Sequence, residues 1–462
     1  MAKVPLLDAT HGIDPDVSPD GWSPDLSSSP LTFAAFPSPS FLHLDPTAPT
    51  LLVCSKPSLS DADNAVLTSM DLKDVAGATH EASTVTIHHY PVAEPGGCSS
   101  APPSSRTRKY APVTLTDASL AKDLAEAVSS LVKPKDPRKL LIMVNPFSGK
   151  KLGLKIYDGV VRPMLERTGT SFQTVLTEYA GHAEEFVKSF DFEGTGTTGV
   201  VTVSGDGLLF EVCQALRSRP DDVFGKITLG IVAAGSGNGL AASINHYIER
   251  PTASAVDNAF SICRGRVVPF DLSSYEVAGG KKYTSFLSLA WGIVADVDLE
   301  SEVLRALGPL RFDVYAVWRM LALKKYSARL SYIDEEGGDM PALSEPVPAS
   351  WTTIDDEFAC FWAVQTSHAA YNMYTAPPSG LSDGKFRILV VRKGAGRLSL
   401  LRSFLAFETG DHMEQPWVEC ITCTKYRLEP TSNNSHLGID GEEVEYGPIQ
   451  AQMEGSKTTL YA

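Results

Sequence analysis

Gly199-Val200-Val201-Thr202-Val203, then Ser204-Gly205-Asp206-Gly207, then Leu208 to Arg217 is the stretch that decides the fold. A short β-branched run closed by a glycine turn reads as a buried strand, and the apolar residues beyond the turn recur at helical spacing. Strand, tight loop and helix in that order are the repeating unit of a doubly wound parallel sheet. The same unit recurs on both sides. Upstream lie strands at residues 139–144 and 173–176, each followed by a helical pattern, near residues 153–167 and 182–190. Downstream, residues 227–232 form another strand that runs into Gly235-Ser236-Gly237-Asn238-Gly239.

In a parallel sheet every such loop emerges at the carboxyl edge of the strands, where open sheets bind ligands. Three of them, Asn145 to Lys150, Ser204 to Gly207 and Gly235 to Gly239, therefore face one crevice. Glycines let backbone amides approach phosphate oxygens, and the helix that follows adds its positive end, so the set predicts phosphate binding. Neither standard nucleotide fingerprint is present: there is no Gly-x-x-x-x-Gly-Lys-Ser/Thr, and the third loop reads Gly-x-Gly-x-x-Leu. Asp206 stands between two residues without side chains. Two roles are open to it, a cap on the helix beginning at Leu208 or a general base for a hydroxyl attacking a phosphoryl group.

Farther out the composition changes. Residues 1–49 are rich in Pro, Ser and Asp and predict a disordered tail. Residues 50–133 combine short apolar strands with a helix whose face carries Leu120, Leu124, Ala127, Val128 and Leu131, a small α+β module of a kind that includes pleckstrin-homology-like folds. Pro134-Lys135-Asp136-Pro137 reads as a linker. The α/β domain then covers 138–266, and strand after strand with polar turns over 267–462 predicts a mostly antiparallel, β-sandwich-like second domain. Residues 334–356 read as a solvated hairpin insertion.

The whole-chain numbers exclude several classes. A net charge of −15 repels nucleic acid, and no uncharged apolar stretch reaches the length that spans a bilayer. Seven cysteines, an odd number spread along the chain, and an amino terminus without a signal-peptide pattern predict a cytoplasmic protein. Cys420 and Cys423 read as strand residues beside Val418 and Ile421, because no second pair lies at zinc spacing.

The run 139–244, with Asn145-Pro146, Thr177-Glu178, Ser204-Gly205-Asp206-Gly207-Leu208, Glu211-Val212 and Gly235-Ser236-Gly237-Asn238, resembles the catalytic domain shared by diacylglycerol and sphingosine kinases. The stretch 285–302, containing Asp296-Val297-Asp298, followed by Arg305, Arg311 and the late Asp440-Gly441-Glu442, narrows the resemblance to sphingosine kinases over 138–462. That resemblance implies ATP and Mg²⁺ as cofactors and a sphingoid base as substrate. It implies Asp206 as base, and Ser204, Gly205, Asp206, Gly207, Ser288 and Asp298 as substrate-binding residues, with Asp298 reading the amino-alcohol head group. Nucleotide-binding roles are implied for Asn145, Pro146, Phe147, Thr177, Glu178, Tyr179, Ala180, Gly181, Glu211, Gly235, Ser236, Gly237, Arg305, Arg311, Asp440, Gly441 and Glu442. No metal ligands are legible. Asp296 is left without a role, and Phe147, Gly239 and Cys213-Gln214-Ala215 depart from the usual family residues.

Physics supports the role of Asp298, since a carboxylate at the mouth of an apolar slot is the natural reader of an ammonium. A ceramide or diacylglycerol kinase, and a catalytically silent lipid- or nucleotide-binding regulator, are the competing expectations. Transient membrane association is expected at a peripheral surface, and a homodimer is left open.

Overall fold

The computed structural model describes residues 66–82, 84–92, 138–301, 310–322, 324–334, 339–392, 394–432 and 435–462, with shorter stretches between 31 and 134 and position 303. They form two compact units. One comprises Met1–Pro137, Val160–Ser171 and Ala259–Arg266, and the other Arg138–Gly159, Phe172–Asn258 and Val267–Ala462.

In the first unit, strands Leu31–Phe33, Ser40–Leu44, Thr50–Cys54 and Val66–Asp71 form one antiparallel sheet, and Val75–Glu81, Thr84–His89 and Lys109–Thr114 a second. The first two strands lie inside the stretch expected to be a disordered tail. Alternating apolar residues such as Leu31 and Phe33, or Leu42 and Leu44, supply the period of a strand, and Phe41 pairs with Cys54. The rest of residues 1–49 lies outside the described residues. Ala121, Ala125, Val128 and Val132 are buried at helical positions; of the apolar face expected there, only Val128 falls among described residues. The unit also takes in helix Arg162–Arg167 and residues 259–266, so it is not closed off at residue 134. Arg106, ion-paired with Asp74, lies 4.1 Å over the Phe260 ring, and Arg264 donates to the Val75 carbonyl at 2.9 Å.

The second unit is built on one mixed sheet. Its parallel part has β1 (Lys139–Val144), β2 (Ser171–Leu176), β3 (Gly199–Ser204) and β4 (Thr228–Ala233) in the order β4-β3-β1-β2. Every position of β3 is buried, as its non-alternating sequence requires of a strand covered on both faces. Helices α1 (His182–Ser189), α2 (Asp206–Ser218) and α3 (Gly239–Tyr247) follow β2, β3 and β4. The antiparallel part includes β5 (Val267–Val277), β6 (Ser288–Gly292), β7 (Tyr326–Ile333), β8 (Leu437–Ile439), β9 (Glu442–Val444) and β10 (Ile449–Tyr461).

The last strand joins the two parts. β10 runs parallel to β4, with Thr228 opposite Thr459, and antiparallel to β5, with Val267 opposite Tyr461. One core accordingly contains Leu141, Val200 and Ile231 together with Phe270, Tyr275 and Trp291.

Three further helices belong to this unit: α4 (Ile293–Glu300), α5 (Leu310–Ala322) and α6 (Arg397–Ala406). Cys420 and Cys423 lie on strand Glu419–Cys423, as expected. The connection at 339–351 is not simply solvated. Arg427, 1% exposed, donates to the Ala342 carbonyl at 2.9 Å and the Glu345 carbonyl at 2.5 Å, and Gln450 donates to the Pro341 carbonyl at 3.0 Å.

Candidate active site

Parallel pairing of β1, β3 and β4 brings their three loops to one edge. Side-chain bonds to backbone and close backbone approach then hold the loops in place. Ser148 Oγ accepts from the Gly205 amide at 3.1 Å, while Asn145 Oδ1 accepts from the Phe147 amide at 2.9 Å. A Cβ added to Gly235 would lie 2.3 Å from Gly205 Cα, so the two loops meet as bare backbone. Asn238, with φ of 58°, accepts from the Gly235 amide at 2.7 Å and donates to its carbonyl at 2.9 Å. Neither Ser148 nor Asn238 has a role assigned from its place in the sequence. The tolerance of Asn for the left-handed region, just before a helix, was the available signal for the latter.

Asp206 is the first residue of α2 and does not cap that helix. Its carboxylate reaches across to the next one: Oδ2 accepts from the Gly239 amide at 2.8 Å and Oδ1 from the Leu240 amide at 3.1 Å. These are two of the amides that α3 cannot satisfy internally. Burial raises the carboxyl above the usual aspartate range, while the hydrogen bonds from the Gly239 and Leu240 amides pull the other way. The result is an oriented carboxylate of raised basicity beside the glycine loops; Gly237 is close enough that a Cβ there would lie 3.8 Å from Oδ2.

Glu211, just over one turn along α2, accepts from the Gly181 amide at 3.0 Å and the Ala183 amide at 3.2 Å. It fixes the loop 177–181 at the amino end of α1. Thr177 is buried, its amide donating to the Val144 carbonyl at 2.9 Å. Tyr179 is exposed, stacked on His182 at 4.8 Å, and hydrogen-bonded through its hydroxyl to Glu185 at 2.7 Å. Phe147 and Ser236 are exposed, and Glu178, Ala180 and Gly181 lie along the same loop. Gln214 ties α2 to the antiparallel part, accepting from the Thr284 amide at 2.9 Å and donating to its carbonyl at 2.6 Å.

The turn between β8 and β9 supplies the facing wall. A Cβ on Gly207 would lie 2.5 Å from Glu442 Oε1, and one on Gly441 would lie 3.8 Å from Asp298 Oδ2. Residues 440–442 therefore bridge the Asp206 loop and Asp298. Desolvation and the neighbouring Glu211 raise the Glu442 carboxyl. Asp440 points elsewhere: its carboxylate accepts from Ser285 Oγ at 2.6 Å and from the amides of Phe286, Leu287 and Ser288. Burial pushes its pKa up to about 6 against those bonds. Asp440 thus holds the 285–288 turn rather than presenting a free carboxylate. Ser288 is buried, its hydroxyl accepting from Trp362 Nε1 at 3.2 Å.

The Asp296-Val297-Asp298 segment is helical, so the two carboxylates do not share a face. Asp296 is fully buried, while Asp298 lies near Gly441. Arg305 lies outside the described residues, and Arg311 sits in the first turn of α5. Among the described residues Asp296, Glu300 and His436 come within metal-ligating distance of one another, but Arg319 and Lys324 donate to Asp296 and already supply the countercharge.

Residues 139–275 match the diacylglycerol kinase catalytic domain, and residues 288–461 match the YegS C-terminal NAD kinase beta sandwich-like domain. The chain is 37% identical to human sphingosine kinase 1 over 344 residues, covering 69% of this chain and 89% of that protein. It is 34% identical to sphingosine kinase 1 of Arabidopsis thaliana, with 64% of each chain covered. A solved Bacillus anthracis structure assigned to the diacylglycerol kinases has a TM-score of 0.52 at 17% identity, covering 71% of this chain and 98% of that one, which is a likeness of fold.

Proposed function

The chain belongs to the sphingosine kinase family, and we propose how its residues share the ATP-dependent phosphorylation of a sphingoid base. The observation that carries the proposal is the turn 440–442, which has Glu442 against Gly207 of the Asp206 loop and Gly441 beside Asp298. A base and a reader of positive charge thereby lie on the two sides of one turn.

Asp206 takes the proton of the primary hydroxyl as that oxygen attacks the γ-phosphorus and the bond from the γ-phosphorus to the bridging oxygen breaks to release ADP, and its raised basicity suits the task. The amides of the glycine loops receive the phosphates, with Asn145 and the 177–181 loop forming the rim. Arg305 and Arg311 offset charge on the transferring group. Mg²⁺ carried with the triphosphate fits beside Glu442, where a neighbouring carboxylate already disfavours negative charge, and it would supply charge neutralisation there. Asp298 pairs with the ammonium of the lipid head. Its helix, α4, packs through Val294 and Val297 on apolar clusters that include Ala290, Trp362, Leu389 and Leu400, a lining suited to the hydrocarbon tail.

Transient membrane contact is supported by α5, where Val314, Val317 and Trp318 are 52%, 43% and 55% exposed at helical spacing. Among the described residues no helix is long and apolar enough to cross a membrane. The four-stranded and three-stranded sheets of the first unit, followed by helical positions, support a pleckstrin-homology-like module. The test is radiolabelled phosphate transfer from ATP to sphingosine, its N-acyl analogue and diacylglycerol. Labelling of sphingosine far above the two uncharged lipids is expected, and preference for either of those would overturn the assignment of Asp298.

A further inference from the structure

We propose that Asp296 is a positioning residue for substrate recognition, the anchor of a buried polar network that sets the direction of Asp298. The inference rests on the reading of Asp298 as the carboxylate that meets the ammonium.

Asp296 is 0% exposed, and both its oxygens are used. Oδ2 accepts from Arg319 Nη2 at 2.7 Å, the Tyr326 hydroxyl at 2.5 Å and Lys324 Nζ at 3.4 Å, and Oδ1 accepts from Ser435 Oγ at 2.8 Å. These partners come from α5, the segment after it, β7 and the residues just before β8. Glu300, one turn further along α4, accepts from the same Arg319 nitrogen at 2.5 Å and from the Tyr315 hydroxyl at 2.5 Å. His436 Nε2 stands 3.5 Å from Glu300. A buried carboxylate persists only when its charge and lone pairs are met, so the two acidic groups and the two cations hold each other in one arrangement.

The consequence passes through the helix. At about 100° per residue, positions 296 and 298 point to nearly opposite sides of α4. Apolar packing of Val294 and Val297 leaves an eight-residue helix some freedom to rotate or slide, whereas directional bonds from four separate segments remove it. Fixing Asp296 therefore fixes Asp298 against the 440–442 turn. Arg319 is the cation that joins both acidic residues of α4 to α5.

The experiment is a double-mutant cycle read on specificity. Asp296→Asn, Asp298→Asn and the double variant are assayed for kcat/KM with sphingosine and its N-acyl analogue and for the KM of ATP, with circular dichroism and Tm as checks of folding. Asp296→Asn should lower sphingosine use about tenfold, change N-acyl use and the ATP KM little, and add less than about twofold in the Asp298→Asn background, because it acts through that residue. Tyr326→Phe, which removes one bond and no charge, should move the same parameter about two- to fivefold and carries the test if Asp296→Asn does not fold. Equal losses for both lipids, or full additivity with Asp298→Asn, would overturn the proposal and leave Asp296 a scaffold residue. Unchanged amine selectivity in Asp298→Asn alone overturns the underlying reading, and that outcome is visible separately.

Discussion

Asp206 and Asp298 lie on either side of the 440–442 turn, yet they are held by different means. Around Asp206 the carboxylate meets backbone, the Gly239 and Leu240 amides, and Gly205 meets Gly235 as bare backbone, with the Asn238 side chain on both polar atoms of Gly235. Around Asp298 the helix is anchored by side chains, with Asp296 and Glu300 bound by Arg319, Tyr326, Tyr315 and Ser435. An edge where two loops meet as bare backbone has no room for an added Cβ. A network of side chains fails when one charge is removed.

The largest break in that comparison comes from the residue the backbone edge orients. Asp206→Asn keeps shape, so the protein should fold and bind ATP, while kcat falls by about 10² or more. Equilibrium nucleotide binding together with kcat checks this, and near-normal turnover would leave Asp206 only its cap on α3. In the native enzyme the base must be unprotonated. Because burial raises its pKa, the acid limb of the rate profile should lie above the ordinary aspartate range, with activity lost as pH falls through it.

On the other side, Asp298→Asn should reduce sphingosine kcat/KM by roughly 10- to 150-fold, the value of a charge-assisted bond of about 1.5 to 3 kcal/mol. Use of the N-acyl lipid should change little. A common factor for both lipids would mean that the side-chain-held carboxylate does not read the amine.

Gly235→Ala sharpens the contrast at the backbone edge. Its Cβ has no room beside Gly205, so a loss of about 1 to 3 kcal/mol in chemical denaturation is expected, with a higher KM for ATP. An unchanged midpoint would show that the loops can part without cost.

The smallest effect is electrostatic. Asp440 has its pKa raised to about 6 by burial, so the folded state holds its proton more tightly than the unfolded chain. That contribution is complete below about pH 4 and is lost as pH rises through about 6. The stability difference between native protein and Asp440→Asn should therefore be larger at pH 4.5 than at pH 7.5, by on the order of 1 kcal/mol. A constant difference across that range would place the Asp440 pKa near its ordinary value.

The doubly wound sheet, the three glycine loops at its edge and the prominence of Asp206 are legible in the residues alone. Each depends on residues within a few positions of one another, strand then turn then helix, so composition and spacing carry the information. That Asp206 caps α3 instead of its own helix, that Asp440 turns inward, and that Asp296 and Asp298 lie on opposite sides of a helix emerges from the folded chain. Only the tertiary structure shows β10 returning beside β4, where Thr459 faces Thr228. These outcomes depend on partners brought from distant parts of the chain. Asp296 meets Ser435 and Asp440 meets Ser285, and a carboxylate in the sequence carries no mark of which distant donor will satisfy it.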